Sequence, residues 1–173
     1  MVAEIDTFKP VYLERIAQLT NKTNQFNLTT RRYTVAEMKS VLGGSGHLGL
    51  YGKLADRFGD NGLISVVLGR KDSDALHMDL WLMSCRVLKR DMEFAMLDAV
   101  ADRAGKMGVN TIFGYYIPTR KNGMVSDFYS TLGFQPSNVL PSDLPEGSTA
   151  WKLDLAGYNR RNRHIKILEY SNA

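Results

Sequence analysis

The segment Ala75 to Leu97, ALHMDLWLMSCRVLKRDMEFAML, constrains the fold most, because its hydrophobic period changes partway along. Up to Cys85 the period is two. Leu76, Met78, Leu80 and Leu82 share one face while His77, Asp79, Trp81, Met83 and Cys85 share the other, which predicts a strand ending at the cysteine. From Met92 the period is helical: Met92, Met96, Ala99, Val100, Ala104 and Met107 form one stripe, and Gly108 suits a left-handed stop. A second apolar run, Val109 to Ile117, follows at once. Strand, helix and strand of this length make a right-handed crossover with two parallel strands in one sheet. Ligands of such sheets collect beyond the carboxyl ends of the strands. The turn Arg86-Val87-Leu88-Lys89-Arg90-Asp91 aims the helix amides back at the strand end, an anion-receiving corner.

The flanking segments supply the rest of the sheet. Val2 to Thr7 alternates as a short strand, and Pro10 opens a helix running through Leu19. Thr34 with Glu37 forms a capping box for a second short helix that ends at Gly43-Gly44. His47 to Phe58 and Leu63 to Arg70 read as strands joined at Asp60-Asn61-Gly62, and Lys71 to Asp74 turns back into the central strand. Beyond the crossover, Pro118 to Gly123 opens a helix lined by Val125, Phe128, Tyr129 and Leu132 and stopped by Gly133. Three prolines, Pro136, Pro141 and Pro145, mark a loop, and Thr149 to Leu155 is the last expected strand. The run from Asn21 to Thr30 is dense in amides and hydroxyls. Such groups usually cap helix ends and close turns. The alternative is a loop that orients a polar substrate through Asn24, Gln25, Asn27 and Thr29.

Size and charge narrow the function. At 173 residues with 44% hydrophobic content the chain fits one domain with an adequate core. Its single cysteine excludes an internal disulfide, and a cytoplasmic protein without a spanning segment is expected. A net charge of +4 suits an acidic partner but falls short of a nucleic-acid footprint. Arg160, Arg161, Arg163 and His164 read as a solvated basic tail over residues 158–173.

Strand, two helices, three antiparallel strands, helix, strand, helix, strand is an order that resembles the GNAT acyltransferase fold. The corner at Arg86, and Asn122, Tyr129 and Leu132-Gly133-Phe134, carry that resemblance. More specifically, RIAQLTNKTNQFNLTTRRYT, RFGDNGL, LHMDLWLMSCRVL and PTRKNGMVSDFY resemble the carboxyl-terminal part of FkbH-type proteins, which supply three-carbon units to acyl carrier proteins in polyketide pathways. The resemblance implies an α/β domain over residues 1–157 with a mixed sheet and helices on both faces. It implies transfer of a glyceryl or similar acyl group to or from phosphopantetheine on an acyl carrier protein, with a HAD-like domain as a possible further partner. Asp72-Ser-Asp74 sits in a polar turn and does not serve as that domain's phosphoryl site.

The site residues follow from position and resemblance together. Cys85, beside Arg86 and a helix start, is expected as a thiolate nucleophile of depressed pKa, against the plainer reading of a small core residue. Tyr129 matches the tyrosine that in many GNAT enzymes protonates the departing thiolate. Arg86, Val87, Lys89, Arg90 and Asp91 would form the cofactor corner, and Asn122 would cap its helix or bond the pantetheine arm. Lys89 and Asp91 replace small residues there, which favours carrier-bound pantetheine over acyl-CoA. His77 and Asp79 are expected as hydrogen-bonded sheet residues. No metal is called for. The rival readings are an acetyl-CoA-dependent N-acetyltransferase and a non-catalytic docking module for a carrier protein.

Overall fold

The computed structural model describes residues 1–87 and 90–168. The chain runs through β1 (Val2–Thr7), α1 (Leu13–Lys22), α2 (Val35–Gly43), β2 (His47–Asp56), β3 (Gly59–Asp72), β4 (Ala75–Met83) and α3 (Met92–Lys106). It continues as β5 (Thr111–Tyr116), α4 (Phe128–Thr131), β6 (Gln135–Ser137), β7 (Thr149–Asp154) and β8 (Lys166–Leu168). The strands form one mixed sheet in the order β6-β7-β5-β4-β3-β2-β1-β8. Its central pair, β4 and β5, is parallel and joined by α3, as the change of period requires. Gly108, after α3, has φ +78, the left-handed stop that glycine adopts at little cost. The Thr34 capping box forms, with the Glu37 amide donating to Thr34 Oγ1 at 3.1 Å.

Two cores lie on opposite faces of the sheet. One holds α3 and α4 through Met92, Met96, Val100, Phe128 and Tyr129; the other holds α1 and α2 through Leu13, Ile16 and Met38. The central strand feeds both, and not by simple alternation. Leu76 and Met78 join the α3 core, but Leu80 and Leu82 join the α1 core while Trp81 and Met83 take over the α3 side. The cause is a bulge. β3 pairs Leu68 with Leu80 and Gly69 with Met78, so Asp79 is passed over and every later side chain changes face.

Two further expectations are corrected. The β2–β3 turn falls at Arg57-Phe58, because Asp56 pairs with Gly59 and its carboxylate accepts the Phe58 amide at 2.8 Å. Asp60-Asn61-Gly62 lies inside β3, where the register shifts and Gly62 has φ +71. The helix expected after Pro118 is a 3-10 turn, Gly123–Val125, followed by the single turn of α4. Arg160, Arg161, Arg163 and His164 are exposed, as a solvated face requires, but the backbone that carries them is anchored: Asp98 of α3, 8% exposed, accepts the Tyr158 hydroxyl at 2.5 Å and the amides of Arg161 and Asn162 at 2.9 Å each. That anchor delivers β8 to pair parallel with β1.

Candidate active site

The bulge at Asp79 decides where the sheet opens. β4 and β5 pair only from Ala75 to Met78 against Thr111 to Gly114, although both strands continue beyond that point. Into the gap runs the connection between α1 and α2. Leu28 donates its amide to the Trp81 carbonyl at 3.0 Å, Met83 donates to the Phe26 carbonyl at 3.1 Å, and Ile117, just past β5, donates to the Leu28 carbonyl at 2.9 Å. Asn27 thereby sits in an antiparallel bridge opposite Leu82. Asn122 clamps the arrangement from the other strand. Fully buried, it donates to the carbonyls of Asn27 at 3.0 Å and Ile117 at 2.9 Å and accepts the Thr119 amide at 2.8 Å. It makes no helix cap, so its polar atoms serve a tie between the inserted segment and β5.

Tyr129 stands against this gap. Its ring lies over Gly114, the last β5 residue paired with β4, so closely that a Cβ there would meet the ring at 2.4 Å. Phe134, Phe128 and Trp81 surround it at centroid separations of 4.9, 5.5 and 6.2 Å. The Tyr129 hydroxyl is buried without a hydrogen-bond partner, the Tyr115 backbone approaching it outside hydrogen-bond geometry, and Trp81 Nε1 is equally unpartnered. Burial drives the Tyr129 pKa far above that of a free phenol. The hydroxyl is therefore held in its protonated form, available to donate a hydrogen bond.

The residues expected in the corner after β4 are placed as follows. Cys85 lies beyond the strand, in a 3-10 turn Cys85–Val87, and is exposed. α3 starts at Met92, seven positions further along the chain. No hydrogen bond or ring contact links Cys85 with Tyr129 among the described residues. Val87 is fully buried and its side chain belongs to the core; Arg86 is exposed. Arg90 forms an ion pair with Asp56, which engages its charge. Asp91 precedes α3 with φ 64, makes no side-chain cap, and has His164 Nε2 at 3.6 Å from its carboxylate. Lys89 lies outside the described residues. A carboxylate at the helix start opposes an anion there.

In the polar loop, capping and tying account for most side chains. Asn27 donates to the Thr23 carbonyl and accepts the Thr30 amide, and Thr29 donates to the Asp79 carbonyl at 2.7 Å, fixing the loop to the bulge. Asn24 accepts from Arg32. Gln25 alone of the four is exposed. On the sheet face opposite Tyr129, His77 is hydrogen-bonded as expected, and its partner is one that the sequence did not specify. His77 Nδ1 lies 2.6 Å from the Tyr115 hydroxyl, and the imidazole stacks on Phe113 at 5.3 Å. Burial and Arg70 hold the His77 pKa below its ordinary value, and burial pushes Tyr115 up to about 12. The signal for this pair was cross-strand register, which the sequence does not state. Among the described residues no cluster of His, Cys, Asp or Glu could hold a metal ion, and no helix is long and apolar enough to cross a membrane.

No family model matches the chain, and no curated protein matches it in sequence. Solved structures do match in fold. A ribosomal-protein-S18-alanine N-acetyltransferase from Escherichia coli superposes with a TM-score of 0.63 at 14% identity, covering 99% of each chain. A GNAT-family acetyltransferase from Staphylococcus aureus gives 0.67 at 12% identity over 89% of this chain and 99% of that one. A phosphinothricin acetyltransferase from Sinorhizobium meliloti, in complex with acetyl-CoA, gives 0.64 at 13% identity over 89% of each. The chain has the mixed α/β fold of the GNAT acetyltransferases.

Proposed function

We propose that the chain is an acyltransferase that exchanges a glyceryl or similar short acyl group with the pantetheine thiol of an acyl carrier protein, at the gap between β4 and β5. One observation carries the reading: two buried, unpartnered donors, Trp81 Nε1 and Tyr129 OH, lie on neighbouring rings where the parallel strands part. Buried donors are nearly always satisfied in a finished interior. Two of them side by side suit an acceptor brought by a ligand. A thioester brings such acceptors, a carbonyl oxygen that gains charge during attack and a sulfur that leaves as thiolate. Tyr129 and Trp81 stabilise that charge by donating hydrogen bonds to it. Cys85, exposed past the end of β4, is the residue on which an acyl group is held as a thioester when the transfer is relayed. Cys85 is exposed and Tyr129 is buried, so the two are tested separately.

The three-carbon unit comes from the resemblance to FkbH-type proteins. The rival N-acetyltransferase reading draws on the acetyl-CoA bound by the Sinorhizobium protein. Against it stand Asp91 at the start of α3 and the pairing of Arg90 with Asp56, which leave a pyrophosphate poorly served. Calorimetric titration of holo acyl carrier protein and of acetyl-CoA, with intact-protein mass spectrometry after mixing with loaded carrier, tests the proposal. Tighter binding of the carrier and acyl exchange with it are expected. Tighter binding of acetyl-CoA, with acetylation of an amine, would establish the rival.

A further inference from the structure

The edge of β4 that an incoming arm needs is already taken. Past Met78 the strand offers the Trp81 carbonyl and the Met83 amide towards β5, and the chain's own Leu28 amide and Phe26 carbonyl satisfy both. Pantetheine is an extended chain bearing two amides, which a strand edge receives by the same exchange of N–H and C=O. We propose that Phe26–Thr29 is a displaceable gate that fills this slot with its own backbone and must swing out before a pantetheine arm binds. The inference rests on the acyltransferase reading above and adds a closed resting state to it.

The construction of the segment suits a gate. It belongs to no helix and lies within the connection between α1 and α2, so that it moves without unwinding either. Thr30, at its exit, is β-branched yet holds φ 52, a conformation kept only where surrounding contacts enforce it. Asn27 spends its side chain inside the loop, on the Thr23 carbonyl and the Thr30 amide, so these bonds can travel with the segment. The bonds lost on opening are the backbone ones to Trp81, Met83 and Ile117, the Asn122 bond to the Asn27 carbonyl and the Thr29 hydroxyl bond to the Asp79 carbonyl. An amide-bearing arm replaces the two on the β4 edge one for one, and the other groups freed are left to water or to the rest of the ligand. Phe26, edge-on to Phe128 at 5.1 Å, holds the closed state by apolar contact. The unpartnered Trp81 and Tyr129 donors belong to the same aromatic cluster, where an arriving thioester would meet them.

The bridge geometry supplies the test. Asn27 and Leu82 face each other as a pair that does not share hydrogen bonds, the closer kind of antiparallel pair, within reach of a disulfide. In the full chain carrying Cys85→Ser, so that only the new pair can oxidise, Asn27→Cys with Leu82→Cys locks the gate under oxidation and frees it under reduction. Calorimetry with 4′-phosphopantetheine should then show binding at least ~10-fold weaker in the oxidised form than in the reduced form. Equal binding in both forms overturns the gate and spares the acyltransferase reading. No binding by either form or by the unmodified chain overturns the reading, and the gate with it. Hydrogen exchange on the unmodified chain needs no variant to fold: phosphopantetheine should speed exchange of the Leu28 and Ile117 amides while Met83 stays protected. Unchanged exchange at Leu28 on saturation also overturns the gate.

Discussion

Replacing Tyr129 by Phe should make the protein more stable and less active, an opposition that only a functional hydroxyl explains. The residue is 1% exposed and its ring contacts, to Phe134, Phe128 and Trp81, survive the change. What disappears is a hydroxyl with no partner. Burying such a group costs about 1–3 kcal/mol by mutational measure. Part of that gain is offset by the small void left behind, so a net stabilisation of about 1 kcal/mol is expected, or a Tm higher by about 2–4 °C for a chain of this size. The same hydroxyl is proposed to donate to charge that develops during transfer, and removal of one such donor lowers kcat by about 100- to 1,000-fold. Calorimetric melting and acyl transfer from a loaded carrier, followed by mass spectrometry, read the two effects on one preparation. A Tm lowered by several degrees would mean that the hydroxyl is satisfied after all. Undiminished transfer would remove Tyr129 from the chemistry.

Three further outcomes are expected. Cys85→Ser should melt within about 0.5 kcal/mol of the parent, since the site is exposed, and should abolish any acyl adduct seen by intact mass; an adduct that persists would place the acyl group elsewhere. Asp98→Ala strands the Tyr158 hydroxyl and the amides of Arg161 and Asn162, at roughly 3 kcal/mol or more, and hydrogen exchange should show residues 158–168 released before the sheet; uniform loss of protection would refute a local anchor. For His77 the folded chain takes up the imidazole proton less readily than the unfolded chain. Its contribution is therefore complete above about pH 6.5 and fades as the pH falls through the lowered folded value. Urea midpoints between about pH 7.5 and about pH 5 should fall less steeply in His77→Asn than in the parent, and parallel profiles would deny the histidine that role.

The parts of this protein legible in its sequence are those governed by local period and local chemistry. Met92 to Met107 shows its helical stripe, Gly108 its left-handed stop and Thr34 with Glu37 its cap, because each involves residues only a few positions apart. The parallel crossover follows from those elements, since a strand, a helix and a strand joined at that length have one favoured hand. Val125, Phe128, Tyr129 and Leu132 were expected to line one face, and all are buried even though the long helix meant to carry them is a 3-10 turn and a single helical turn.

What the tertiary structure alone decided is the site. The bulge at Asp79 is set by how β3 pairs with β4, and nothing in the alternation of Leu76 to Leu82 announces that the faces exchange midway. Because of it β4 leaves β5, and the segment Phe26–Thr29, some fifty residues earlier in the chain, enters between them. Asn122 looked like a cap or a ligand contact and is a tie to Asn27; His77 and Tyr115, 38 positions apart, meet across two strands. Arg90, expected in the cofactor corner, is paired with Asp56, and the backbone of the basic tail is fastened by Asp98. Each of these depends on partners distant in sequence, whose meeting is fixed by strand register and by burial of the whole core, so neighbouring residues carry no trace of it.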